Sequence, residues 1–117
     1  MNKPSFDHYY LYEEITELLQ EINLTYPNIS KLHSIGKTPQ NRDIWLIELS
    51  NKEEGNPDKK PGFYIDGNTH ASEVTGSAVC IKTIWELTSG YGKDPFITEL
   101  LDKRVIYINP RVDPDGS

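Results

Sequence analysis

Residues 62–76 read "GFYIDGNTHASEVTG", and the reading of this stretch decides the fold. A short apolar run, Phe63-Tyr64-Ile65, breaks into Asp66-Gly67-Asn68-Thr69, and a helical pattern resumes at Glu73. The near-continuous apolar character of residues 62–66 predicts a strand covered on both faces. His70 and Glu73 stand three residues apart where the loop passes into the helix. In open α/β sheets, ligands gather at that place, outside the carboxyl ends of strands. Imidazole nitrogen and carboxylate oxygen are both zinc donors, so the two side chains can address one metal ion. The pair alone is a weak signal. With three His and ten Glu in 117 residues, a Glu three places after some His arises by chance in about one such chain in four. The competing reading is a loop histidine bonded to backbone, with Glu73 favoured in the first helical turn by the helix dipole.

Downstream of this stretch, Val74, Ala78, Ile81, Trp85 and Thr88 recur along one stripe and predict a helix over 73–88. Cys80, Ile84 and Leu87 widen the stripe, so this helix should be largely buried. A short helix over about 94–102 and a buried strand in "RVIYINP" (104–110) follow. Upstream, Leu11, Ile15, Leu18 and Ile22 predict an amphipathic helix over 7–22, capped by Ser5 or Asp7 and barred from continuing by Pro27. Leu32–Ile35 is a short strand candidate, "GKTPQNR" (36–42) a turn, and "DIWLIEL" (43–49) a β-rich run. "SNKEEGNPDKKPG" (50–62), charged and broken by two Gly and two Pro, reads as a solvated, mobile loop. Helices alternating with strands place the chain in the α/β class, a mixed or parallel sheet with flanking helices in one domain at most.

Composition narrows the function. The formal charge is −6, from 12 basic and 18 acidic residues, so no basic surface is available to meet phosphate, and nucleic-acid binding is not expected. The same balance is wrong for an anionic membrane surface. Apolar runs of a few residues fall far short of a membrane span. Mean hydropathy is −0.60 with 10% aromatic residues, which describes a polar but foldable chain. The single cysteine, Cys80, has no internal partner and reads as a small buried hydrophobe. The start "MNKPSFDHYYLYEEI" has no apolar core, so no signal peptide is read in this chain, and a cytoplasmic location is expected if Met1 is the native start.

Three phrases in order now join the pair. Ile35-Gly36-Lys37-Thr38-Pro39-Gln40-Asn41-Arg42 precedes the second strand; Gly67, His70 and Glu73 follow the third; Pro110 to Gly116 follows the last. Together, over about residues 7–117, they resemble the N-terminal part of the zinc metallocarboxypeptidases of the carboxypeptidase A/B type. That family has Ile-Gly-x-Ser-x-x-Gly-Arg, Gly-x-x-His-x-x-Glu and Pro-x-x-Asn-Pro-Asp-Gly in the corresponding places. This chain carries Thr38 for Ser, Asn41 for Gly and Asp113 for Asn. Between the two ligands many members place Arg, where this chain has Ser72, a residue suited to capping the helix.

The resemblance implies a zinc-carboxypeptidase-like (phosphorylase/hydrolase-like) fold, of which residues 1–117 would be the N-terminal portion of the catalytic domain. It implies Zn2+ as cofactor, His70 and Glu73 as two of three ligands, and a metallopeptidase hydrolysing a C-terminal peptide bond through metal-activated water. The third ligand, the glutamate general base and the arginines that grip the substrate carboxylate are expected beyond Ser117. No catalytic residue is therefore assigned within the chain, the substrate-binding residues are unknown, and the isolated piece is expected to be inactive. The ending on "RVDPDGS", a turn directly after a core strand, fits a cut in a longer protein. His8 and His33 match no ligand position, and Arg111 reads as a residue that holds its own loop by charge-assisted hydrogen bonds. Because the residues that choose a substrate are not among these, peptides and N-acyl amino acids both remain open. The alternatives are a related zinc amidase or deacylase, a cell-wall peptide hydrolase, or a metal-free α/β interaction module. A partial α/β domain should also leave a sheet edge uncovered, through which the chain is expected to self-associate.

Overall fold

Apolar residues at alternate positions of "DIWLIEL" set the sheet. In the computed structural model, which describes residues 1, 3–5, 10–67 and 74–110, β1 (Ser30–Lys37) and β2 (Asp43–Leu49) form an antiparallel hairpin. Its turn is closed by the Thr38 N–H donating to the Arg42 carbonyl at 2.9 Å, with Asn41 at φ 65°. Asparagine tolerates that left-handed backbone better than most side chains. The strand β4 (Val105–Asn109) pairs antiparallel with β2, and β3 (Gly62–Asp66) pairs parallel with β4, giving the order β1-β2-β4-β3. Cross-strand partners share a face. The register therefore aligns Ile47 with Ile108 and Leu49 with Ile106 on one side, and Lys31, Glu48, Tyr107 and Tyr64 on the other.

Parallel strands need a crossover, and here it contains α2 (Val74–Gly90) and α3 (Pro95–Lys103). Asp94 caps α3, its carboxylate accepting from the Phe96 N–H at 2.9 Å, and Pro95 sits at the first helical position where its missing N–H costs nothing. The first helix, α1 (Tyr12–Thr25), presents Ile15, Leu18, Leu19 and Ile22. These meet Ile47, Leu49, Ile106 and Ile108 of the sheet, Cys80, Ile81 and Ile84 of α2, and Leu101 of α3 in a single core. No helix among the described residues is long and apolar enough to cross a membrane.

The mixed α/β architecture is the expected one, with three differences of detail. The first helix begins at Tyr12, and Leu11, expected on its buried stripe, is its cap residue and is 65% exposed; the cap candidate Asp7 lies outside the described residues. The reason is local: the Glu14 carboxylate reaches back to the Leu11 N–H at 2.9 Å and supplies the cap from inside the helix. The loop 50–62 contains two short 3-10 turns, Lys52–Glu54 and Pro57–Lys59, each opened by an asparagine whose side chain accepts the N–H two residues on. Most consequentially, β3 is exposed along its whole length instead of covered on both faces. It lies at the end of the sheet with β4 as its one strand neighbour among the described residues, and Phe63 and Tyr64 are 54% and 56% exposed.

Candidate metal centre

His70 and Glu73, the two metal candidates, lie outside the described residues, as do Ser72, His8 and Arg111 to Gly116. What is described is the frame on either side of them. The strand β3 ends at Asp66, in register with Asn109 at the end of β4. The Gly67 N–H then donates to the Asn109 carbonyl at 3.0 Å, extending the parallel pairing by one step. Gly67 also packs directly on α2: a Cβ placed there would stand 2.6 Å from both the carbonyl carbon and oxygen of Gly76. Only glycine permits that approach of backbone to backbone. One residue further on, the buried Ser77 hydroxyl donates to the carbonyl of Pro110 at 2.5 Å. The donor segment 68–73 follows Gly67 in the sequence and precedes Val74, which opens α2 three residues before Ser77. Both points are at the carboxyl edge of the parallel pair, where open α/β sheets hold ligands.

Other candidate groups stand elsewhere. His33 is on β1, at the opposite side of the sheet, with its Nε2 3.4 Å from Glu48 Oε1. Three strand spacings separate β1 from β3, on the order of 14 Å. Cys80 is buried one turn beyond Ser77, and burial, helped by the charge of Asp66, pushes its thiol up to about 11. It stays protonated at neutral pH and behaves as the small hydrophobe expected of it. Among the described residues, no group of three or more His, Cys, Asp and Glu could hold a metal ion.

A second cluster of perturbed polar groups lies at the other end of the strands. Tyr91 OH donates to Asp102 Oδ1 at 2.5 Å, and Asn51 Nδ2 donates to both, at 2.7 and 3.0 Å. Lys60 Nζ donates to Ser50 Oγ and to the Asn51 carbonyl, at 2.9 and 2.8 Å. Burial, then the bond to Asp102, raises Tyr91 to about 12; the Tyr91 bond, then that from Asn51, holds Asp102 below the usual carboxylate range. Perturbed groups often mark active sites, but the tyrosine hydroxyl, asparagine amide, lysine and carboxylate here bind one another. The cluster clasps the amino ends of β3 and β4. Sequence reading found neither this clasp nor Ser77.

Comparison with known proteins agrees with this geometry. The sequence profile of the zinc carboxypeptidase family matches residues 15–117. A zinc carboxypeptidase of Saccharothrix mutabilis subsp. capreolus is 38% identical over 107 residues, which is 89% of this chain and 24% of that protein. Human carboxypeptidase D is 30% identical over 114 residues, 97% of this chain and 8% of its own length. The crystal structure of thrombin activatable fibrinolysis inhibitor matches with a TM-score of 0.85 at 28% identity, over 95% of this chain and 27% of its own. Carboxypeptidase A from Helicoverpa armigera shares the fold, with a TM-score of 0.84 at 24% identity over 97% of this chain and 27% of that one. The chain therefore spans about a quarter or less of the length of these relatives.

Proposed function

The chain belongs to the zinc carboxypeptidase family, and from that membership we propose that it forms part of the catalytic domain of a metallocarboxypeptidase in which His70 and Glu73 are two zinc ligands. The observation that carries this reading is the convergence of Gly67, Gly76 and Ser77 at the carboxyl edge of β3 and β4, immediately before and after the segment that holds the pair. The donor chemistry fits the metal: a neutral imidazole nitrogen and a carboxylate oxygen are the ligand types zinc takes in catalytic sites. When bound, zinc polarises a substrate carbonyl and lowers the pKa of its water, which allows attack on a peptide bond near neutral pH.

The part of this chain is to hold and orient. His70 and Glu73 contribute two donors, and the glycine contact at Gly67 keeps β3 and α2 close enough for one segment to present both. The names of the relatives favour a C-terminal peptide bond as substrate over an N-acyl amino acid. Two donors without a third ligand or a general base do not assemble such a site, so the 117-residue chain alone is inactive in this reading. Zinc titration of the chain tests the ligands: one weak site is expected, lost in His70→Ala and in Glu73→Ala. Incubation with zinc and a peptide bearing a free C-terminus tests the rest. Robust zinc-dependent hydrolysis by this chain would sink the claim that it lacks essential parts.

A further inference from the structure

The two ends of the four-stranded sheet are finished differently among the described residues. At one end β3 is exposed along its length. At the other, side chains from outside the sheet occupy the backbone of β1. The Leu32 N–H donates to Asn23 Oδ1 at 2.8 Å, and Asn23 Nδ2 donates to the Ser30 carbonyl at 3.5 Å. Asn23 belongs to α1. Its amide brings one acceptor and one donor, which are what the backbone of a further strand would bring to the same place. Lys52 Nζ, in the turn after β2, donates to the same Ser30 carbonyl at 2.8 Å. Further along, Ser34 Oγ donates to the Gly36 carbonyl at 3.1 Å, and the register with β2 slips between Ser34 and Lys37. Lys31 and Lys37 add positive charge to a strand that carries no acid. Lysines and irregular register are known means of blunting an edge strand. This edge has adhesive neighbours: Leu24 is 82% exposed and Ile35 54%, and Leu24 lines one groove with Asn23 and Leu32.

We propose that Asn23 guards the β1 edge against strand addition, so that a second copy of the chain cannot extend the sheet there. Backbone groups of residues two apart along a strand face the same side, so the Ser34 N–H faces outward with that of Leu32. A copy pairing with β1 needs Ser30, Leu32 and Ser34 together. With Asn23 in place it must displace bonds already made at Ser30 and Leu32, and the exchange gains nothing. Without Asn23, the Leu32 N–H loses its partner at an edge flanked by exposed apolar side chains, and pairing with a second β1 satisfies it. A role confined to anchoring α1 would lower the melting temperature of an Asn23 variant without making any property of β1 depend on protein concentration.

Amide hydrogen exchange resolved at single residues, on the 117-residue chain at low and high protein concentration, tests this. In the wild type, Leu32 should be protected equally at both concentrations and Ser34 exchange freely at both. In Asn23→Ala, Leu32 is expected to exchange about fivefold faster at low concentration, the effect of losing one hydrogen bond. At high concentration Leu32 should regain protection together with Ser34, as a second copy pairs with β1. Association through β3 does not touch these two amides, so it does not mimic the result. Exchange at Leu32 and Ser34 that is independent of concentration in the folded variant overturns the guard. Concentration-dependent protection of Ser34 in the wild type overturns it equally, because β1 would then pair with Asn23 in place. Should Asn23→Ala fail to fold, Asn23→Leu keeps the bulk, removes both hydrogen bonds and is judged by the same two amides.

Discussion

Replacing Tyr91 with phenylalanine removes one hydroxyl from the clasp at the amino ends of β3 and β4. The hydroxyl donates to Asp102 at 2.5 Å and accepts from Asn51 at 2.7 Å, and the Asn51 bond to Asp102 at 3.0 Å survives its loss. A hydrogen bond to a charged group contributes about 1.5–3 kcal/mol. Here both partners are only partly buried, so water recovers some of that, and a cost of about 1 kcal/mol is expected. For a chain of this size, that corresponds to a melting temperature lower by about 4 °C. The deficit should depend on pH in a defined direction. Asp102 is held below the usual carboxylate range, first by the Tyr91 bond. A lowered folded pKa contributes stability above the unfolded value, near 3.9, which is lost as pH falls through the folded value. Tyr91→Phe is therefore most deficient at neutral pH, and the gap narrows below about pH 4. On the alkaline side Tyr91 is raised to about 12. Its contribution is intact below the unfolded value of about 10 and disappears as pH rises toward the folded one. Urea unfolding across pH measures both limbs. A deficit that is absent, or equal at neutral and acid pH, would refute the account. Zinc affinity should be unchanged in this variant, because the clasp is at the opposite end of β3 from Gly67, after which the two metal candidates follow in the sequence.

Cys80, buried with its thiol raised to about 11, should react with a thiol reagent at neutral pH only as fast as the protein opens; rapid stoichiometric labelling of the folded chain would contradict this. The exposed edge at β3, carrying Phe63 and Tyr64, is expected to drive self-association, seen as dimers or larger species in sedimentation and reduced in Tyr64→Lys. A strictly monomeric chain at high concentration would rule that out. Ile81→Ala removes a 1% exposed core side chain between α2 and the sheet, and a loss of about 2–5 kcal/mol in chemical unfolding is expected.

Elements whose signal is local were legible in the sequence. The strand β2 matches "DIWLIEL" residue for residue because its branched and aromatic density has no competing helical reading. Asp94 and Pro95 announce α3 by cap chemistry alone. The start of α1 was misplaced because the rule favours a Ser or Asp cap, whereas the cap comes from Glu14 reaching backward. The burial of β3 was misjudged for a different reason: apolar composition records what a strand can be packed against, not how many neighbours it has. At the site, "Gly-x-x-His-x-x-Glu" was visible as a pattern, but Ser77 was not. A serine inside a helix carries no signal of its own, and its partner is 33 residues away. The clasp was hidden likewise, since Asn51 and Asp102 meet across 51 residues.

The two ends of the parallel pair are held by different chemistry, and the difference bears on how function is read from perturbed groups. At the amino end, Lys60, Ser50, Asn51, Tyr91 and Asp102 bind one another. Such a network stabilises by being complete, and its shifted tyrosine and carboxylate report that completeness and no reactivity. At the carboxyl end the connections are two backbone contacts and one serine hydroxyl. None of these carries a charge that would compete for a metal or displace the pKa of an incoming donor. A frame of that kind can fix where a segment is attached while leaving the ionisable chemistry to the side chains the segment brings. In this chain the shifted tyrosine and carboxylate at the amino end are structural, and so is the shifted Cys80 thiol near the carboxyl end, whose cause is first of all its burial.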